Sequence, residues 1–390
     1  MTHEREVDGP QAEAALQTSL TDLGLGHLGL DAERRQALVW SLCAWFAAHA
    51  RDLPWRRSQD PYAIWISEAM LQQTQVATVI PYWERFLERF PDVEALALAE
   101  EDDLLAAWSG LGYYRRARSL QEAARAIVAQ HHGSFPRKRR DAEALPGVGP
   151  YTAGAVLSIA YGLSEAVVDG NVARVFARLF GLSDPLASTR LDKQLWALAR
   201  ALVPPAGEGP DGPGAWNQAL MELGATLCTP KSPGCLMCPL AEHCVARRDG
   251  RQAELPVPKP KPEKKQVELV ALLVWQRGRL LLERRPSGGR MAGLWELPTR
   301  ELTGHELWPD GWVDGGLEPG ESLGSVSHGI TVHRIRCEVR RGAFHSAGGR
   351  LDPGGPLAWH STERLPELGL TGMTKKVLAK DFARHLLADG

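Results

Sequence analysis

The sequence predicts two folds in one chain, an all-helical domain followed by a smaller α+β domain. Three observations carry this. From Glu33 to about Arg247, apolar residues recur at three- and four-residue intervals, the period of buried helices. In "LPVPKPKPEKKQ", Pro256, Pro258, Pro260 and Pro262 take every second position, which favours an extended tether and cannot propagate a helix. Beyond it the period falls to two, as in strands. A length of 390 residues allows each domain its own core. The expected layout is a loosely ordered extension over 1–30, a helical domain over 31–247, a linker over 248–266 and an α+β domain over 267–390.

The elements follow in order. Residues 1–30 lack aromatic side chains, hence the expected looseness. Their opening, "MTHEREVDGPQAEAALQ", is polar and has no secretory h-region, and no later stretch holds ~20 uninterrupted apolar residues. The expectation is a cytoplasmic monomer with no membrane partner and with reduced thiols. "RRQALVWSLCAWFAAHA", "AIWISEAMLQQTQVATVI" and "LQEAARAIVAQHH" read as helices. The second places Glu68, Gln72 and Gln75 at i, i+4 and i+7 on one face. A net charge of −2 gives no global pull toward nucleic acid, yet between Tyr113 and Arg140 eight Lys/Arg face one acid, Glu122. Such a cluster suits either a phosphate backbone or a solvated basic surface.

"LPGVGPYTAGAVLSIAYG" puts Gly147 and Gly149 in a tight turn and Pro150 at the first position of a helix. That leaves free N–H groups, a ready phosphate site, although an ordinary helix–helix turn reads the same way. In "AVVDGNVARVFARLF", Asp169 sits where a helix N-cap belongs. After the linker, "VELVALLVW" and "LLLERR" form two strands around a glycine-containing turn. "HRIRCEVRR" alternates, with His333, Ile335, Cys337 and Val339 on one face. "TGMTKKVLAKDFARHLL" reads as a closing helix.

Four of six cysteines, Cys228, Cys235, Cys238 and Cys244, fall within the seventeen residues "CTPKSPGCLMCPLAEHC". Paired disulfides suit poorly a chain whose thiols are reduced. Zinc sites usually set two close pairs a dozen or more residues apart, and here only Cys235 and Cys238 form one. A compact four-thiolate loop suits an iron–sulfur cluster, but spacing alone leaves zinc open. Cys43 and Cys337 lie in apolar patterns and read as core. Glu68 and Asp169 remain open too. Each has a bland reading, solvated helix carboxylate or N-cap, beside a chemical one in which two differently tuned carboxyls divide acid and electrostatic work.

"SEAMLQQTQV", "GLGYY", "LPGVGPYTAGA", "VDGNVARV" and C-x6-C-x2-C-x5-C occur in the order and spacing of the adenine DNA glycosylases of the MutY type, within the endonuclease III superfamily. The resemblance runs from about Arg34 to the end of the chain. It implies a helix–hairpin–helix glycosylase domain with a [4Fe–4S] cluster on Cys228, Cys235, Cys238 and Cys244. It also implies excision of adenine opposite 8-oxoguanine or guanine in double-stranded DNA. Glu68 matches the residue that protonates adenine at N7, and Asp169 the carboxylate that stabilises the cationic sugar. Asn171 would support Asp169, and Glu222 matches a buried acid near the catalytic water. Trp55 and Arg56 resemble residues lining the adenine pocket, Arg51 belongs with them among the substrate- or DNA-binding residues, and Gln73 and Tyr113 match wedge residues that fill the vacated stack. Strand-nicking members carry a nucleophilic lysine where this chain has Tyr151, and a phenol forms no Schiff base. The implied enzyme is monofunctional.

"LLLERRPSGGRMAGLWELPT" and "LEPGESLG" resemble a Nudix domain, but the chain lacks the metal-binding R-E-x-x-E-E run, so diphosphate hydrolysis is not expected. The resemblance implies a domain that reads 8-oxoguanine through a Phe-Ser-His loop. Here that loop is Thr-Val-His, with Val332 in place of serine and His333 retained, and a core histidine is the alternative for His333. Two other functions stay open: an endonuclease III-like glycosylase acting on oxidised pyrimidines, and a non-catalytic DNA-binding iron–sulfur protein.

Overall fold

The computed structural model describes residues 10–205, 207, 212–259, 263–286, 291–302, 316–330, 333–345, 351 and 355–388. The first helices are α1 (Pro10–Asp22), α2 (Ala32–His49), α3 (Pro61–Leu71), α4 (Val76–Arg89), α5 (Val93–Leu98), α6 (Glu101–Ala107) and α7 (Arg115–His131). There follow α8 (Arg139–Glu143), α9 (Pro150–Tyr161), α10 (Gly170–Leu179), α11 (Thr189–Leu202), α12 (Pro213–Thr226) and α13 (Val245–Arg248). Strands β1 (Lys265–Gln276), β2 (Arg279–Arg284), β3 (Trp295–Glu296), β4 (Thr299–Glu301), β5 (Leu317–Ile330), β6 (His333–Phe344) and β7 (Leu357–Ser361) precede α14 (Gly372–Leu378) and α15 (Asp381–Ala388). No helix among the described residues is long and apolar enough to cross a membrane.

Two compact units form, and they do not follow linear order. One comprises Met1–Val76 and Ala123–Pro260; the other comprises Ala77–Glu122 and Lys261–Gly390. Residues 77–122, which periodicity assigns to the helical domain, therefore cluster with the sheet.

In the first unit, Leu38, Leu42, Phe176, Leu198, Trp216 and Leu220 make one fully buried core. The expectation of looseness before residue 31 fails for 10–30. Leu20, Leu25, Leu28 and Leu30 are buried in that same core, so leucine supplies the anchoring that aromatic residues do not. Glu13 pairs with Arg35 at 2.5 Å, and Gln194 donates to the Leu23 carbonyl at 2.9 Å. The linker is anchored at its start as well: Leu255 is buried, and Leu186 donates its amide to Val257 O at 2.9 Å.

The helix expected through "SEAMLQQTQV" is broken. Helix α3 stops at Leu71, and Gln73 takes φ 59° before α4 begins. Gln72, the last residue before the break, still shares the cavity that Glu68 lines, whereas Gln75 does not continue the helix face of Glu68. Four consecutive polar residues, Gln-Gln-Thr-Gln, give that segment nothing apolar to bury as a helix.

In the second unit the sheet order is β3-β2-β1-β6-β5, with β4 on β1 and β7 on β2; β1 and β6 run parallel, the other pairs antiparallel. Arg277 (φ 49°) and Gly278 (φ 72°) close a two-residue hairpin between β1 and β2. Both faces of β1 are buried over residues 270–274. Ala271 and Leu273 join Cys337, Val339, Met373 and Val377, while Val270, Leu272 and Val274 join Leu281 and Leu317. The single closing helix is in fact two, α14 and α15, separated at Ala379–Lys380. Phe86, Phe90 and Trp108 form an edge-to-face cluster among the helices of this unit. Arg118 bridges Glu101 at 2.7 Å and the Ala292 carbonyl, and Arg284 bridges Asp102 at 2.5 Å.

Candidate active site

The site grows from the ends of four helices. Asp60 caps α3 by accepting from Tyr62 N at 2.9 Å, with Pro61 at its first position. Every residue of α3 from Tyr62 to Met70 is buried, so Glu68 is a buried carboxyl, 5% exposed, and not a solvated helix residue. Pro150 starts α9 after the Gly147–Gly149 turn and delivers Tyr151 opposite Glu68. Its hydroxyl lies 2.5 Å from Glu68 Oε2 and 3.2 Å from Met221 Sδ. Gly147 needs its positive φ of 74°. Gly149 has an ordinary φ of −93° and open space where a Cβ would stand, so the fold does not require glycine there. A bare backbone next to unpaired helix N–H groups is what close approach of a phosphate needs.

Asp169 caps α10, and the bland and chemical readings coincide in it. Oδ1 accepts from Val172 N at 2.7 Å, and Oδ2 accepts from Asn171 Nδ2 at 2.9 Å. Asn171 Oδ1 in turn accepts from Arg174 Nη2 at 2.8 Å, and Arg174 also donates to the carbonyls of Gly224 and Cys228, both at 2.7 Å. Gly224 of α12 lets α10 come this close, since a Cβ there would fall 2.5 Å from Asn171 Cβ.

Glu222 is fully buried on α12. Burial would raise its pKa, but three donors from Arg51 (N 3.2 Å, Nε 2.6 Å, Nη2 2.8 Å) and one from Arg56 (Nη2 2.8 Å) hold it down at about 2. A carboxylate so saturated has little basicity to offer a water; what it does is fix two guanidiniums.

These residues share one cavity of about 670 Å³. Arg51, Trp55, Arg56, Glu68, Gln73, Gly147, Gly149, Tyr151, Asp169, Asn171 and Glu222 all line it. Burial raises the Glu68 pKa to about 7, the Tyr151 hydrogen bond opposes this, and the charge of Asp169 adds to it. Asp169 is raised from its ordinary value chiefly by burial, and Tyr151 lies well above its own for the same reason. Two coupled carboxyls in a cavity large enough for a purine can supply one proton donor and one anion.

The thiol loop packs on α10. All six cysteines are free; Cys43 and Cys337 are buried in the two cores. Burial raises the pKa of Cys238 to about 11, the Leu240 backbone N–H opposes this, and the other three loop thiols add to it. The other three loop thiols thus lie within electrostatic reach of Cys238. Among the described residues no three such side chains are placed to hold a single metal ion. Arg178, 3% exposed, donates to the carbonyls of Leu255 (2.8 Å), Thr229 (2.7 Å) and Cys228 (3.3 Å) and lies 3.4 Å from Cys228 Sγ. Sequence reading passed over Arg174 and Arg178. Their signal was two arginines four apart inside the apolar run "VARVFARLF".

Tyr113 and His333 do not line this cavity. Tyr113 is 50% exposed with φ 50°, a strained backbone for a bulky residue, and Arg116 stacks 5.5 Å over its ring. His333 opens β6, half-buried, and lines a second cavity of about 550 Å³ with Arg285, Glu296, Arg300 and His328. Val332 lies outside the described residues.

A family model described as HhH-GPD superfamily base excision DNA repair protein matches residues 66–201, and a NUDIX domain model matches residues 270–380. The chain is 39% identical over 342 residues to the human adenine DNA glycosylase, covering 74% of this chain and 61% of that protein. To the adenine DNA glycosylase of Schizosaccharomyces pombe it is 35% identical over 330 residues, covering 69% of this chain and 70% of the relative. A solved structure described as a thermostable thymine-DNA glycosylase is 31% identical, with a TM-score of 0.49, over 56% of this chain and 98% of its own. The chain spans less than two thirds of the human relative's length. Two matched models in this order, and a yeast relative covered over most of its length, carry one conclusion: the chain belongs to the adenine DNA glycosylase family, with a helix–hairpin–helix domain followed by a Nudix-like one.

Proposed function

We propose that this chain is a monofunctional glycosylase that excises adenine mispaired with 8-oxoguanine, and with guanine, from duplex DNA. The carrying observation is the pair Glu68 and Asp169 in one cavity, both pKa values raised by burial and Glu68 near neutrality. Glu68 donates a proton to N7 of the flipped adenine, which makes the base a better leaving group as its N9 bond to the sugar breaks. Asp169, fixed by Val172 N and Asn171, faces the cation developing on the sugar and stabilises it. Glu68, now ionised, takes a proton from the water that adds to the sugar. Tyr151, bonded to Glu68, stands where a Schiff-base lysine would stand in a strand-nicking relative. Trp55 and the Arg51–Glu222–Arg56 set shape the base pocket, and Gln73 and Tyr113 fill the space that the base leaves. His333 reads the opposite base.

The free thiols of Cys228, Cys235, Cys238 and Cys244, within electrostatic reach of one another and met by backbone N–H groups at Cys238 and Cys244, fit a [4Fe–4S] cluster. Bound there, the cluster would cross-link the loop through four thiolates; Arg174 and Arg178 hold the loop's backbone against α10.

The deciding experiment is a single-turnover assay on duplexes holding A:8-oxoguanine, A:G or A:T. Adenine should leave the first fastest and the last not at all, with strand breaks only after alkali. No adenine release, or release of an oxidised pyrimidine instead, would overturn the reading.

A further inference from the structure

Tyr113 closes the segment Ser109-Gly110-Leu111-Gly112-Tyr113. Three of its five residues take positive φ: Gly110 at 118°, Gly112 at 71° and Tyr113 at 50°. The φ of Gly110 strains any L side chain, and a Cβ there would also fall 2.1 Å from the Tyr82 hydroxyl, which would have to move. A strained turn with a half-exposed aromatic ring at its end keeps its shape only if its surroundings over-determine it. Part of that determination is local. Trp108 Nε1 donates to Gly112 O at 3.1 Å, and the Tyr82 hydroxyl donates to Ser109 O at 2.9 Å.

The rest comes from far along the chain, from residues of the Nudix-like domain. The Leu370 carbonyl accepts from the Tyr114 hydroxyl at 3.4 Å and from Ser109 Oγ at 3.5 Å. Lys375 Nζ donates to Ser109 O at 3.2 Å, and the Gly110 amide donates to the Tyr114 hydroxyl at 3.4 Å. Ser109, Tyr114 and Leu370 are all buried. Each bond is long and individually weak, but the contact beneath them is tight: a Cβ on Gly369 would fall 3.2 Å from Leu105 Cβ and 3.1 Å from Leu294. Leu370 is itself registered on the sheet, bridging Trp295, whose carbonyl accepts from Thr371 N at 2.9 Å.

We infer that Leu370 and Lys375 of the Nudix-like domain, acting through Tyr114 and Ser109, are positioning elements for Tyr113, so that this domain helps extrude adenine by holding the wedge as well as by meeting the opposite base. The inference rests on the proposed wedge role of Tyr113.

The test uses the full chain with Tyr114→Phe and Lys375→Met, each alone and combined with Tyr113→Ala. Lys375 is exposed, so its variant should fold even if the other does not. Two quantities are read. One is deuterium uptake by amides 109–116 in the free protein. The other is the ratio of affinities for an A:G duplex and the matched A:T duplex, by fluorescence anisotropy. Uptake should accelerate roughly tenfold with global melting little changed. The mispair preference should fall roughly fivefold where Tyr113 is present, and not at all in the Tyr113→Ala background. Unchanged uptake in both variants overturns the inference whatever the DNA shows. So does a loss of preference that is equal in the two backgrounds, or absent from both. An unsubstituted chain with no mispair preference would instead strike at the proposed function, and uptake would still decide the clasp.

Discussion

At the scale of single residues, the pKa of Glu68 sets two expectations. Glu68→Gln keeps size and polarity but removes the acid, so adenine release should fall ~10²–10⁴-fold while duplex binding persists. Single-turnover rates within a few fold of the parent would make Glu68 a spectator. Because the reactive form is protonated and the pKa is about 7, the parent's rate should decline tenfold per pH unit above that point. The same shift has a stability sign. A folded pKa raised from 4.5 to about 7 means the folded chain holds the proton more tightly, so stability is lost as pH rises through that window. Glu68→Gln removes this loss, and its melting temperature relative to the parent should climb between pH 5 and pH 8. Glu222 behaves oppositely. Its pKa is depressed to about 2, and Glu222→Gln would strand Arg56 and, less severely, the partly solvated Arg51. Breaking such a pair costs ~3–5 kcal/mol when fully buried, so a marked drop in melting temperature is expected, smaller than that limit.

Among elements, the thiol loop gives the sharpest expectation. Protein purified in air should be yellow-brown from thiolate-to-iron charge transfer, and Arg178→Ala, which frees the carbonyls of Leu255, Cys228 and Thr229, should lose iron faster to a chelator. A colourless protein with stoichiometric zinc would overturn the cluster. Elements also mark what the sequence could and could not disclose. The α9 and α10 starts were legible because Pro150 and Asp169 are local signals that act on their own helices. The break at Gln72–Gln75 was not, because periodicity counts spacing and is blind to a four-residue polar gap. Residues 10–30 were misjudged for a similar reason: their leucines bury against α11 and α2, and composition does not show where a partner lies. Arg174 and Arg178 stood in plain view inside an apolar run, yet the acceptors that tie them to the thiol loop are main-chain carbonyls fifty or more residues away, which no side-chain motif encodes.

For the molecule as a whole, removing residues from Lys264 onward tests the Nudix-like domain. A good polar contact to a base carries ~1–3 kcal/mol, so preference for 8-oxoguanine over guanine should fall roughly 5- to 150-fold. The linear reading expects the helical remainder to survive intact. The compact units say otherwise, since truncation strips the partners of Leu105, Ser109 and Tyr114, and helices α4–α6 should melt at lower temperature than the rest. His333→Ala keeps those partners and should lower the preference without the thermal loss; the reverse pattern would make His333 a core residue. The interleaving also bears on birth order. A ribosome releases Ser109 and Tyr114 long before Leu370 and Lys375, and the contacts joining them span 256 to 266 residues. At ~5–20 residues per second the early helices wait tens of seconds for their partners. Through that interval buried surface such as Leu105 lies bare on the nascent chain, and a chaperone that recognises apolar helices has its longest opportunity there.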